Sequence, residues 1–219
     1  MKTELFQCFD EEMNPTECLP RQVVHREGHW HQAIHCWVVG LEEGSNKPYV
    51  LLQKRHPDKD TYPNYYDISA AGHLVAGETV EDGLREVKEE LGIEIDPAML
   101  SSLGMVKEVA VIAEDLIDRE FCFVYLYEAS LPFAAYRLQE EEVIGLYRID
   151  LYEFVELVSA GRAETLGVGI ELDGQGNWVE VSRPITFAEL VPFSAAYFAF
   201  LNEHLLQFAT RKKSLPFLD

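Results

Sequence analysis

Four carboxylates crowd into one short stretch of this chain: Asp82, Glu86, Glu89 and Glu90. Read as a helix with Glu86 at zero, Asp82 falls near about −40°, Glu90 near +40° and Glu89 near −60°, one narrow stripe. Val80, Leu84, Val87 and Leu91 fall opposite it, between about 100° and 160°, which is the core stripe of an amphipathic helix. Like charges four residues apart cost ~0.2–0.5 kcal/mol per pair. The stripe is therefore either a solvated face or the seat of a cation. A hard divalent ion suits it, because magnesium takes a few carboxylates, keeps several waters and completes its shell with phosphate oxygens. Such an ion neutralises a diphosphate, lowers the pKa of a bound water and stabilises the leaving oxygens.

The elements that must hold this stripe can be read around it. Thr79 with Asp82 three residues on forms an N-terminal cap, and Gly92 follows the last helical residue, so "ETVEDGLREVKEELG" predicts a helix. Before it, "HWHQAIHCWVVG" and "YVLLQKR" are β-rich runs joined by a turn, and "HPDKDTYPNYYDISAAG" is a long loop ending in a small-residue strand. After it come two strands, "LSSLGMVKEVAVIA" and "REFCFVYLYEA", and an amphipathic helix "DLYEFVELVSAG" ending at Gly161. A hairpin about Asp173-Gly174 and a terminal helix with basic residues in its last turn follow. Residues 1–28 read as a short strand and loops, an N-terminal extension packed on the domain. Residues 29–160 form the main domain, and 161–219 add a hairpin and helix to it.

The bulk properties agree with a small folded protein. With 18 basic and 38 acidic residues among 219, the formal charge is −20. A surface this acidic repels long nucleic acids and anionic membranes, whereas a small phosphorylated substrate remains compatible once a cation is bound. At 47% hydrophobic and 26% charged, the chain is neither disordered nor low-complexity. Cys8, Cys18, Cys36 and Cys122 form no CxxC pair, no signal peptide is visible, and no apolar run approaches the ~18 residues of a membrane span. These features predict reduced thiols and a cytoplasmic protein, with a homodimer open.

"GHLVAGETVEDGLREVKEELGI", Gly72 to Ile93, resembles the Nudix box: a glycine, five residues, a glutamate, a spacer, then Arg-Glu-apolar-x-Glu-Glu-x-Gly-apolar. Six residues separate Glu78 from Arg85, where the family has seven. The resemblance implies an α/β fold of α/β/α sandwich type with a mixed sheet, and magnesium-dependent hydrolysis of a diphosphate linked to some moiety X, with manganese a possible substitute. It implies metal ligands at Gly72, Glu86, Glu89 and Glu90, catalytic roles for Glu86 and Glu89, and an orienting Arg85. The family often adds a glutamate from a later loop; "LQEEEVIGLY" supplies Glu140, Glu141 and Glu142, and Glu142 is taken. Lys54 and Arg55, one strand before the box, are candidate phosphate ligands or exposed edge cations.

Outside the box, "HWHQAIHCWVV", "LLQKR" through "DISAAGH" and "DREFCF" resemble isopentenyl diphosphate isomerase, a branch of the superfamily. In that isomerase histidines and acids hold a metal, and His31, His73 and Glu120 match such positions, with His25 near another. They form a possible second metal site. His29, His31 and His35 alternate on one strand face and read equally as structural groups. The isomerase's catalytic cysteine, two residues before the matching histidine, is Ala71 here, and alanine can neither give nor take a proton. Hydrolysis is favoured; an isomerase-like enzyme and a non-catalytic ligand-sensing domain are the alternatives.

Overall fold

The computed structural model describes residues 4–213, which hold eleven strands and four α-helices. In chain order the first elements are β1 (Leu5–Phe9), β2 (Pro15–Pro20), α1 (Arg21–Glu27), β3 (Trp30–Leu41), β4 (Pro48–Arg55), β5 (Tyr66–Asp67), β6 (Ala70–His73) and α2 (Arg85–Leu91). Then follow β7 (Leu100–Ala113), β8 (Leu116–Glu128), β9 (Val143–Asp150), α3 (Leu151–Val158), β10 (Glu164–Leu172), β11 (Trp178–Thr186) and α4 (Ala195–Lys213). The chain gathers into two compact units, one of Met1–Trp37, Ile68–Tyr127 and Arg137–Gln139, the other of Val38–Asp67, Glu128–Tyr136 and Glu140–Asp219.

In the first unit, residues 5–27 are more ordered than their polar composition predicts. β1 and β2 pair antiparallel, and α1 follows. Phe6 and Cys8 alternate inward on β1 and form a fully buried cluster with Val24 of α1, against which Leu19 and Val75 pack. A strand this short and an edge strand this exposed leave little apolar periodicity to read. β6 pairs antiparallel with β3, setting Ala33 beside His73, Ile34 beside Gly72 and His35 beside Ala71. β7 and β8 form a long antiparallel hairpin, and β8 also pairs with β3.

The helix expected from Glu78 onward is shorter. Asp82–Leu84 is a 3-10 turn and α-helix begins at Arg85. The capping pair itself explains this: the Thr79 N–H and hydroxyl both donate to Asp82 Oδ2 at 2.9 and 2.8 Å, closing a tight turn before the helix. Val87 and Leu91 are fully buried, as the core stripe requires. At the other end Gly92 is left-handed (φ 65°) and its N–H returns to the Lys88 carbonyl. The Arg137 and Gln139 N–H groups donate to the carbonyls of Leu91 and Glu90, satisfying acceptors a helix end would otherwise orphan.

In the second unit, β4 pairs antiparallel with the end of β3 and with β9, β9 with β10, and β10 with β11. Asp150 caps α3, accepting from the Tyr152 and Glu153 N–H groups. The expected hairpin about Asp173 is present, its turn held by N–H groups of Gln175 and Asn177 donating to Asp173 Oδ1. The terminal helix is α4; no helix among the described residues is long and apolar enough to cross a membrane.

Gly92→Ala tests how α2 ends. A Cβ there would lie 2.4 Å from both Arg137 Cβ and the Arg137 carbonyl oxygen, in a left-handed conformation that costs an L-residue ~1–2 kcal/mol. Urea unfolding of the variant is expected to show a loss of at least about 1 kcal/mol; an unchanged midpoint would contradict this account of the cap.

Candidate active site

Glu86 is the most constrained carboxylate of α2. A Cβ at position 72 would stand 2.2 Å from Glu86 Cδ, so only glycine lets the side chain press against the β6 backbone. The Arg85 guanidinium donates to Glu86 Oε1 at 2.8 Å, faces Glu78 Oε1 at 3.2 Å and lies 3.9 Å from Glu89 Oε1. One cation thus gathers three acids. Burial pushes the Glu86 carboxyl up to about 7; Arg85 opposes that shift and the charges of Glu89 and Glu78 add to it.

The remaining box residues divide by environment. Glu90 is buried and its Oε2 accepts from the Ala71 N–H at 3.0 Å, tying α2 to β6. Glu89 is half-exposed. Glu78 keeps its contact with Arg85 despite the shorter spacer, because residues 79–84 are turn rather than continuous helix and absorb the missing residue; its Oε2 also accepts from the Val75 N–H. Asp82 leaves the acidic stripe: it is exposed, and the hydrogen bonds from Thr79 lower its pKa.

A second group lies in the same unit. Side chains alternate faces along a strand, so His31 and His35 on β3, Ala71 and His73 on β6, and Asp118, Glu120 and Cys122 on β8 are each spaced to share a face. The ligand atoms of His25, His31, His73 and Asp118 all lie within 4.8 Å of one another. His25 Nε2, His31 Nε2, His73 Nε2 and Asp118 Oδ1 are buried without a hydrogen bond of acceptable geometry. Such atoms are costly unless an ion or water joins them.

The surroundings preset these rings. His31 Nδ1 lies 3.0 Å from the His29 carbonyl and Nε2 3.3 Å from Asp118 Oδ1; burial works to lower the pKa of the ring, but Asp118, with the charge of Glu120, outweighs it and pushes the pKa up. The Phe6 ring stacks on His31 and His73, with centroids at 5.3 and 5.0 Å, and meets His25 edge-on. Burial, with repulsion from His73, pushes His25 down to about 4, so it is neutral at pH 7. Of the three residues expected here, His31 and His73 join directly, and Glu120 touches His73 at 3.0 Å. His25 and Asp118 complete the group. The two-residue spacing of Asp118 to Glu120 was the signal for the latter.

The other candidates lie in the second unit and are engaged there. Lys54 donates to Glu171 Oε1 at 3.0 Å. Arg55 donates to Asp67 at 2.7 Å and to the carbonyl and hydroxyl of Thr61. Glu142 pairs with Lys59, and Glu140 accepts from the Trp178 indole N–H at 3.2 Å.

Comparison with known proteins was informative. The family described as NUDIX domain matches residues 30–165. An uncharacterized Nudix hydrolase from Clostridium acetobutylicum is 37% identical over 206 residues, spanning 94% of this chain and 98% of that protein. An isopentenyl-diphosphate Delta-isomerase from Corynebacterium diphtheriae is 29% identical over 159 residues, spanning 71% of this chain and 83% of that one. A crystal structure of a Deinococcus radiodurans protein shares the fold, with a TM-score of 0.55, 20% identity, and coverage of 73% of this chain and 91% of the other.

The raised Glu86 pKa predicts a pH signature. A folded-state carboxyl at about 7 against an ordinary 4.5 binds its proton more tightly folded than unfolded. Its favourable contribution is therefore complete below about 4.5 and lost as the pH rises through about 7. In chelator, wild type is expected to lose on the order of 2–3 kcal/mol relative to Glu86→Gln across that window, and magnesium to restore it at the alkaline end. Parallel stability curves for the two proteins would contradict this.

Proposed function

The chain belongs to the Nudix family of diphosphate-cleaving hydrolases, and we propose that it hydrolyses the diphosphate linkage of a small organic substrate with magnesium or manganese bound along α2. Carboxylate and backbone carbonyl oxygens are the donor types such an ion takes. Glu86, Glu89 and Glu90 share one turn and a half of helix, and Gly72 lets the β6 backbone meet Glu86 with no side chain between. When bound, the ion would neutralise diphosphate charge and acidify a water.

This chain's own residues divide the remaining work. Arg85 orients Glu86 through Oε1, leaving Oε2 to face an ion or a water. Glu86, held against Gly72 among the helix acids, is placed to hold the ion or to take a proton from a water that the ion would acidify. Glu90, through the Ala71 N–H, fixes the helix on the strand that carries Gly72. Lys54 and Arg55 as phosphate ligands, and Glu142 as a further acid, belong to the same reading, and each would first have to release its present partner.

The single observation that carries the proposal is Glu86, half-buried against Gly72 with its pKa raised mainly by that burial, at the centre of a box whose Arg85–Ile93 spacing is intact. The histidine group supports a second metal, held by His31, His73 and Glu120 together with His25 and Asp118. Its likeness to the isomerase favours a second reading, double-bond isomerisation. Ala71 argues against that reading, since the position holds neither acid nor base.

Nucleotide sugars, dinucleoside polyphosphates, NADH, coenzyme A, thiamine diphosphate and prenyl diphosphates, each with magnesium or manganese, separate the two. Release of phosphate or a monophosphate supports hydrolysis; double-bond migration with the diphosphate intact supports the alternative. With a hydrolysed substrate in hand, Glu89→Gln is expected to lower kcat by at least about a hundredfold. It should shift unfolding by less than about 0.5 kcal/mol, because the side chain is half-exposed. Unchanged turnover would remove Glu89 from the chemistry.

A further inference from the structure

On the far side of Glu120 from His73, a third set of ligand-type side chains converges: His35, Glu120 and Cys122, whose ligand atoms lie within 4.8 Å of one another. His35 Nε2 lies 3.7 Å and Cys122 Sγ 3.4 Å from Glu120 Oε2, while Glu120 Oε1 faces His73 Nε2 at 3.0 Å. The carboxylate therefore presents one oxygen to each group. Bonds of about 2.0–2.3 Å to nitrogen, oxygen and sulfur hold neighbouring ligand atoms about 3.3–3.6 Å apart around a tetrahedral ion, close to the spacings seen here.

From this geometry we infer that His35, Glu120 and Cys122 form a separate cation seat, bridged by the Glu120 carboxylate to the histidine group, and that it takes a thiophilic first-row ion such as zinc or cobalt(II) rather than magnesium. Sulfur and imidazole ligands select against magnesium, which prefers oxygen. His35 and Cys122 are buried and Glu120 is half-buried, and among the described residues the ion pairs of Glu120 are with His35 and His73. Loading replaces the Cys122 S–H bond by a metal–sulfur bond and releases that proton to solvent, with no change of oxidation state. Sheet register builds the seat, since Glu120 and Cys122 are alternate residues of β8 and His35 lies on the paired β3. The inference is independent of the diphosphate reading, because it requires neither α2 nor a substrate.

The test uses the full chain, stripped with chelator and reloaded with cobalt(II). A thiolate-to-cobalt charge-transfer band in the near ultraviolet is expected, lost in Cys122→Ser, weakened in His35→Gln and kept in Cys36→Ser and in His31→Gln. No band in the wild type, or a band that survives Cys122→Ser, overturns the proposal. Should Cys122→Ser fail to fold, X-ray absorption of the zinc-loaded wild type decides: a sulfur scatterer at about 2.3 Å supports the seat, and an all nitrogen and oxygen shell overturns it. Neither readout involves turnover, so an enzyme without detectable hydrolysis could still show the band, and an active one could lack it.

Discussion

A carboxylate driven into a protein against a peptide group loses water on every side from which the backbone approaches, and something of opposite charge must replace that water. Glu86 is in this position. Gly72 supplies the close approach, and Arg85 supplies part of the counter-charge while also serving Glu78 and Glu89. Burial is the main cause of the upward shift of Glu86; Arg85 opposes it, and the charges of Glu89 and Glu78, which share that guanidinium, add to it. The supporting details all maintain this crowding. Glu90 fixes α2 on β6, the Thr79–Asp82 turn sets where the helix starts, and Gly92 with residues 137–139 sets where it stops.

The histidine group is assembled by a different route. Three strands with a two-residue period each turn one face the same way, and α1 brings His25 to the same place. Phe6 backs three of the rings, so part of the N-terminal hydrophobic cluster is also the wall of the group. Aromatic stacking of this kind restricts how each imidazole can turn. The residues are thereby preset, with their ligand atoms convergent and the His31 ring held by the His29 carbonyl.

Much of this was legible in the chain. The box and the Gly92 end of its helix follow from residue type and spacing, as do the hairpin at Asp173 and the helices α3 and α4. Two kinds of feature were not legible. The length of α2 was overestimated because a capping pair has the same spacing whether it opens an α-helix or closes a 3-10 turn, and Asp82 was placed in the stripe for that reason. The short strand expected in residues 1–28 is β1, but β2 and α1 read as loops because few apolar side chains there, Phe6, Cys8 and Val24 foremost, do the packing. Partnership was equally hidden. Nothing local in "LLQKR" indicates that Lys54 meets Glu171, 117 residues away, since that pair depends on the strand order β4–β9–β10.

The hydrogen bond from the Ala71 N–H to Glu90 bears on substitution at that position. It holds the main chain at position 71 through the peptide, not through the side chain, and the β6–β3 pairing beside His35 does the same. What projects from that position is therefore free to drift while the backbone stays where it is. A small side chain other than alanine at position 71 would leave both the β6–β3 ladder and the anchor of α2 in place.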